Sequence, residues 1–196
     1  MGGHPSAVLI PPLLSLAESV GATGQDLALA YVVGFETECR IGRGVHHHHY
    51  DKGWHPTATL GIFGTVAAAA RILHMTVEQT AVALGMAASF ASGLKANFGT
   101  MTKPLHVGHT VRNGLFAAFM AQRGFTANPD IFGAPHGYVD TFFKAGFDYD
   151  ALMQYGKPYR CVDPGMAIKF YPSKYPTHFA IAAALDARGR IPENEL

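Results

Sequence analysis

Lysine is scarce in this chain, so where it falls is informative. Lys103 stands directly before Pro104 in the run Gly99-Thr100-Met101-Thr102-Lys103-Pro104-Leu105-His106. Proline suits the first position of a helix, which predicts a helix mouth here. Free N–H groups and the positive end of the dipole attract anions at such a mouth. Lys103 and His106 are therefore candidates for holding an anionic substrate. Gly53-Trp54-His55-Pro56 repeats the arrangement, and His4-Pro5 is a third case. Further on, Lys169 and Lys174 flank Tyr171-Pro172-Ser173, with His178 one helical turn after Lys174. By itself that last pattern reads as the amphipathic start of a surface helix.

The run His46 to His49 invites a metal reading. Adjacent histidines cannot all face one ion in regular structure, and no HExxH motif or carboxylate pair accompanies them. A polar loop is the simpler expectation, and a metal-binding module built on the run is the weakest alternative. His106 and His109 have ligand spacing on a helix but lack a third ligand, so His106 is read as a polar site residue and His109 as a helix-face residue. No metal site is expected.

The elements that must position these groups are mostly helical. Val8, Leu9, Pro12, Leu13 and Leu16 recur at helical spacing after Pro5, ending near Gly21. Thr23 is a candidate N-cap for a second helix. Residues 40–54, rich in Gly and His, predict a loop or a frayed helix end followed by one. Pro56 opens a third helix to about Leu73, whose small residues allow close packing on most sides. Thr76 starts a fourth, with Glu78 and Gln79 in its first turn, running to about Ala91. Pro104 starts a fifth, closed by Gly124. Shorter pieces fill residues 125–165, Ala167 to Tyr171 reads as a strand, and Thr177 to Arg188 as a final helix.

Across 196 residues, 48% hydrophobic and 15% charged, there is ample material for a core and too little charge for disorder. A net charge of +1 provides no basic face for nucleic acid. Cys39 and Cys161 read as reduced thiols and are too few for an iron–sulfur cluster. No GxGxxG, GxxxxGK[ST] or GxSxG pattern occurs, which removes the sequence support for nucleotide-binding and serine-hydrolase readings. With no signal-like opening and no long apolar run, the expectation is a soluble cytoplasmic protein without a membrane partner. Both termini read as cut: a helix opens at residue 5, and Ile191 to Leu196 does not read as a finished tail.

In order and spacing, several segments together resemble the MmgE/PrpD family of lyases, whose members include 2-methylcitrate dehydratases and cis-aconitate decarboxylases. The segments are His4-Pro-Ser-Ala7, Gly34-Phe-Glu36, Gly53-Trp-His-Pro56, Thr100 to Gly114, Gly124-Phe125-Thr126, Lys169-Phe-Tyr-Pro172 and Thr177-His178. The resemblance implies a mainly α chain. Residues 1–165 would form part of a large helical domain, and residues 166–196 the first strand and helix of a smaller α/β lid. It also implies a homodimer and a cofactor-independent active site. By position, His4, His55, Lys103 and Lys169 match the catalytic places, with Lys174, His106, His178 and Thr102 as substrate-binding candidates. Lys174 stands where the family's decarboxylases have His, which counts against decarboxylation. Family members are more than twice this long, so an upstream segment, most of the lid and the returning C-terminal helices are outside this chain.

The chemistry suits such a substrate. A citrate-like molecule carries up to three negative charges, and Lys103, Lys169 and Lys174 are the cations to meet them. Dehydration needs a base beside a carboxylate, a cation on the developing charge and a proton donor for the departing hydroxyl. Histidine serves either proton transfer near neutral pH. Dehydration of 2-methylcitrate is thus the leading expectation and cis-aconitate decarboxylation the alternative. A non-catalytic helical remnant that binds a partner is the rival of another class.

Overall fold

A computed structural model describes residues 3–45, 48–143 and 146–192. It divides into two compact units, Met1–Pro164 and Gly165–Leu196. The architecture is mainly α, with a single isolated bridge, Trp54 to Leu94, as the β pairing among the described residues.

In the first unit, α1 (Pro5–Val20) starts on Pro5 and stops at Gly21, whose φ of 68° closes the helix in the left-handed region. The second helix, α2 (Gly24–Gly44), is opened by a reciprocal capping box between Thr23 and Asp26. A single turn, α3 (His48–Asp51), follows. Next come α4 (Pro56–Thr59) and α5 (Gly61–Ile72), then α6 (Val77–Phe90), which Thr76 and Gln79 cap in the same reciprocal way. The long α7 (Thr102–Gln122) and the short α8 (Tyr138–Phe142) and α9 (Tyr149–Met153) complete the unit.

The centre of this unit is α5, which packs against α1, α2, α6 and α7. Its sequence of Gly and Ala is what permits that many neighbours. A Cβ on Gly34 would lie 2.7 Å from the Gly64 carbonyl oxygen, so α2 and α5 cross backbone to backbone. Thr65 similarly fills the space a Cβ on Gly114 would take, bringing α7 in. Phe63, fully buried, meets Phe132 from the segment beyond α7 and Tyr138 at the start of α8.

Two expectations about the elements of this unit need correction. The helix from Pro56 is not continuous to Leu73 but breaks at Leu60, where the Thr59 hydroxyl donates back to the His55 carbonyl at 3.1 Å, a bond that bends helices. The α7 helix begins at Thr102, so Lys103 and Pro104 lie inside its first turn; proline is tolerated there because those N–H groups lack intrahelical partners. Of the two alternatives for residues 40–54, the helix end holds at 40–44: these residues continue α2 because Gly44 is packed under Phe147 and its carbonyl accepts from the Asp148 N–H at 3.0 Å.

The second unit carries α10 (Thr177–Gly189), close to the expected bounds. Ala167 to Tyr171 is not a strand: a strand exists only by pairing, and no partner strand is present among the described residues.

Two buried acids in α2 behave oppositely. Glu36 accepts from Arg40 Nε at 2.7 Å, from the Gly156 N–H at 2.9 Å and from the Arg160 N–H at 2.6 Å, while Arg40 Nη2 donates to the Pro158 carbonyl at 2.6 Å. This ion pair clamps residues 156–160 onto α2. Burial pushes the Glu36 carboxyl up, but the backbone donors and Arg40 outweigh it and hold it below its ordinary value. Glu38, fully buried near Gly61 and Gly64, has no hydrogen-bond partner for either oxygen among the described residues. Burial therefore holds its carboxyl well above the ordinary 4.5.

The stability Glu38 contributes in its protonated form is present below that ordinary value. It is lost as pH rises toward the folded-state value, because the unfolded chain gives up the proton first. A Glu38→Met variant is expected to be about 1–3 kcal/mol more stable than wild type near pH 8, with a flatter dependence on pH. Urea midpoints at pH 5 and 8 check this, and a less stable variant at pH 8 would contradict it.

Candidate active site

The histidine at each Pro-started helix occupies the N-cap. His4 caps α1, and its N–H donates to Thr57 Oγ1 in α4 at 3.1 Å. His55 caps α4, and its N–H donates to the Gly93 carbonyl at 3.0 Å. Neither side chain caps its own helix. The His55 ring, 3% exposed, lies with Nδ1 at 3.2 Å from His106 Nδ1. One of these nitrogens carries the proton and the other accepts it, so the two rings hold different tautomers while both are neutral.

Phe98 closes the group. Its ring meets the His55 ring at 81° with centroids 4.9 Å apart, and Lys103 Nζ sits 4.6 Å from its centroid. The Lys103 ammonium has no carboxylate or hydrogen-bond partner among the described residues. Among the described residues it is a cation without a counter-ion, and its charge acts on the His55 ring.

Burial pushes the His55 imidazole down to about 4, and the charges of His106, Lys103 and His4 push the same way. His106 is lowered too, by burial first and then by His109. The pair is therefore neutral near pH 7. The four groups His4, His55, Lys103 and His106 share one electrostatic neighbourhood. Thr102 is next to Lys103, its N–H donating to Thr100 Oγ1 at 3.2 Å.

The floor beneath His55 is a buried polar chain. Thr59 Oγ1 donates to the His55 carbonyl, so it accepts from the His49 ring; Tyr138 donates its hydroxyl to the Thr59 carbonyl at 3.1 Å. Burial, with Lys52 adding to it, holds His49 down at about 4.

His49, expected in a polar loop, is instead 1% exposed and packed against Trp54 and Phe143. His46 and His47 lie outside the described residues. Among the described residues no three His, Cys, Asp or Glu side chains are grouped to hold a metal ion. His109 contacts Asn113 on the exposed side of α7.

The chain belongs to the MmgE/PrpD family. A model of the MmgE/PrpD N-terminal domain matches residues 1–150, the stretch that contains the His4, His55, Lys103 and His106 cluster. Human cis-aconitate decarboxylase is 32% identical over 197 residues, covering 96% of this chain and 40% of that protein. A cis-aconitate decarboxylase-like protein of Aspergillus oryzae is 33% identical over 152 residues, and a cis-aconitate decarboxylase of Aspergillus terreus is 29% identical over 150. Each covers 73% of this chain, which spans 32% and 31% of their respective lengths. This chain thus spans about two fifths of the human relative and about a third of the fungal ones.

Of the remaining candidates in this MmgE/PrpD chain, Lys169, Lys174 and His178 belong to the second unit. There Lys169 Nζ donates to the Ser173 carbonyl at 3.0 Å, and Thr177 donates its hydroxyl to the Lys174 carbonyl at 2.7 Å. The His178 ring packs between Tyr171 and Tyr175, and its Nε2 has no partner among the described residues. No helix of the described residues is long and apolar enough to cross a membrane.

Sequence reasoning missed Phe98, Gly93 and Glu38. Glu36 and Arg40 carry a readable signal, since opposite charges four apart on a helix face each other.

Proposed function

We propose that this chain forms the helical part of a cofactor-independent lyase for a small tricarboxylate, with decarboxylation of cis-aconitate as its leading reaction. The observation that carries the reading is Lys103, an ammonium without a counter-ion among the described residues, whose charge acts on the His55 ring of the neutral His55–His106 pair. The relatives' printed names support decarboxylation as the first reading, where the sequence alone led with dehydration. Lys103 would bind a carboxylate and stabilise charge that develops on it as a C–C bond breaks. An arriving tricarboxylate supplies negative charge beside His55 and His106, which raises their proton affinity. A proton taken up there can then be delivered to the carbon left by CO2. Lys169, Lys174 and His178 are further candidates for the remaining carboxylates. The protein would act in the cytoplasm as a homodimer.

Dehydration of 2-methylcitrate is the second reading, favoured by a lysine at position 174. In that reaction the neutral imidazole of His55 would accept a proton from the carbon beside a carboxylate.

Separate incubation of the intact protein with cis-aconitate and with 2-methylcitrate, followed by product analysis, tests both. Release of CO2 with a five-carbon unsaturated dicarboxylate is the expected result. Loss of water from 2-methylcitrate without CO2 would establish the second reading instead. Turnover of neither would return the chain to the class of binding partners.

A further inference from the structure

Residues 93–98 do more than connect α6 to α7. They are stitched to the loop before α4: the Gly93 carbonyl accepts from the His55 N–H, the Lys95 N–H donates to the Gly53 carbonyl at 2.7 Å, and Leu94 pairs with Trp54. Gly93, with φ of 134°, lies so close to the site that a Cβ there would meet Ala58 Cβ at 3.2 Å and His106 Nδ1 at 3.4 Å. A 3-10 turn at Lys95–Asn97 then delivers Phe98, whose N–H donates to the Lys95 carbonyl at 2.8 Å. One short strap thus supplies the acceptor for the His55 backbone, the clearance for the His106 ring and the aromatic surface under Lys103.

We propose that Phe98 is a positioning residue, whose ring sets the spacing between the Lys103 ammonium and the His55 imidazole by contacting both. The proposal rests on reading this cluster as a tricarboxylate site. A lysine with four rotatable bonds and, among the described residues, no counter-ion loses much freedom when it is ordered. The electron-rich face of an aromatic ring attracts an ammonium without neutralising it. A carboxylate in place of Phe98 would hold Lys103 equally well but would cancel the charge the substrate needs. Phe98 orders the cation and leaves its charge free.

The test compares the intact wild-type protein with Phe98→Leu, Phe98→Met and Phe98→Tyr, using tricarballylate as a non-reacting tricarboxylate and calorimetry as the readout. Phe98→Leu and Phe98→Met are expected to bind about three- to thirtyfold more weakly, the range a cation–π contact supports. Phe98→Tyr, which keeps the ring face, is expected to stay within about twofold. Two aliphatic variants guard against one failing to fold. Wild-type affinity in either folded aliphatic variant, or an equal loss in Phe98→Tyr, would overturn the proposal while leaving the tricarboxylate reading intact. No binding by wild type would overturn that reading, and NMR titration of the His55 ring then decides the positioning role. An upward move of its midpoint in Phe98→Leu but not in Phe98→Tyr supports it, and no difference overturns it.

Discussion

Replacing Glu36 with alanine is expected to destabilise the helical unit by about 3–5 kcal/mol, the usual cost of leaving a buried partner charge uncompensated. The loss is larger than the pair's own attraction because three groups are stranded at once. Arg40, with a side chain 3% exposed, loses its carboxylate, and the N–H groups of Gly156 and Arg160 lose their acceptor. Residues 156–160 should then release from α2, which makes local opening as well as global stability a readout. Urea unfolding and hydrogen exchange at Gly156 and Arg160 check the two parts. A Glu36→Ala protein within 1 kcal/mol of wild type, with exchange at those amides unchanged, would show that the clamp does not hold this segment. The sign with pH follows from the lowered carboxyl: the stability it contributes is present above 4.5 and is lost as pH falls through its folded value.

The second large effect falls on activity rather than stability. Lys103→Ala is expected to lower kcat/KM for cis-aconitate by about 10²–10³-fold, the range seen when one group that stabilises developing negative charge is removed. Fold should survive, because the ammonium's contact among the described residues is the face of Phe98 and no ion pair is broken. Steady-state kinetics together with circular dichroism separate the two. Turnover near wild type from the folded variant would remove Lys103 from the site.

What could be read from the residues in order is what is local in cause. Pro5, Thr23 and Thr76 mark helix starts because a fixed φ or a capping hydroxyl acts within one turn, and all three start helices here. Pro104 misled by two residues because the whole first turn tolerates proline, not its first position alone. The strand expected at Ala167 to Tyr171 failed for a different reason: strand propensity is realised by pairing, and pairing is not encoded in the segment itself.

The site divides in the same way. The histidines before Pro5 and Pro56, and the lysine before Pro104, stand out by position, and the fold brings His4, His55, Lys103 and His106 into one cluster. Phe98 carried no such mark, because its role lies in touching one residue forty-three positions earlier and another on the next helix. Glu38 was equally silent, since its burial is set by the close approach of α1 and α5 to α2. His49 escaped for the same reason: Trp54 and Phe143 bury it, and the histidine run suggests only polarity.

On the proposed function, the Lys103, His55 and His106 cluster receives a tricarboxylate and gains a proton as it does so. Calorimetry of tricarballylate binding to the intact protein at pH 6, run in two buffers of different ionisation enthalpy, tests it most directly. Saturable binding that weakens with added salt is expected, with a heat that changes between buffers in the direction of proton uptake. Saturable binding with no proton uptake, or no binding at all, would contradict it.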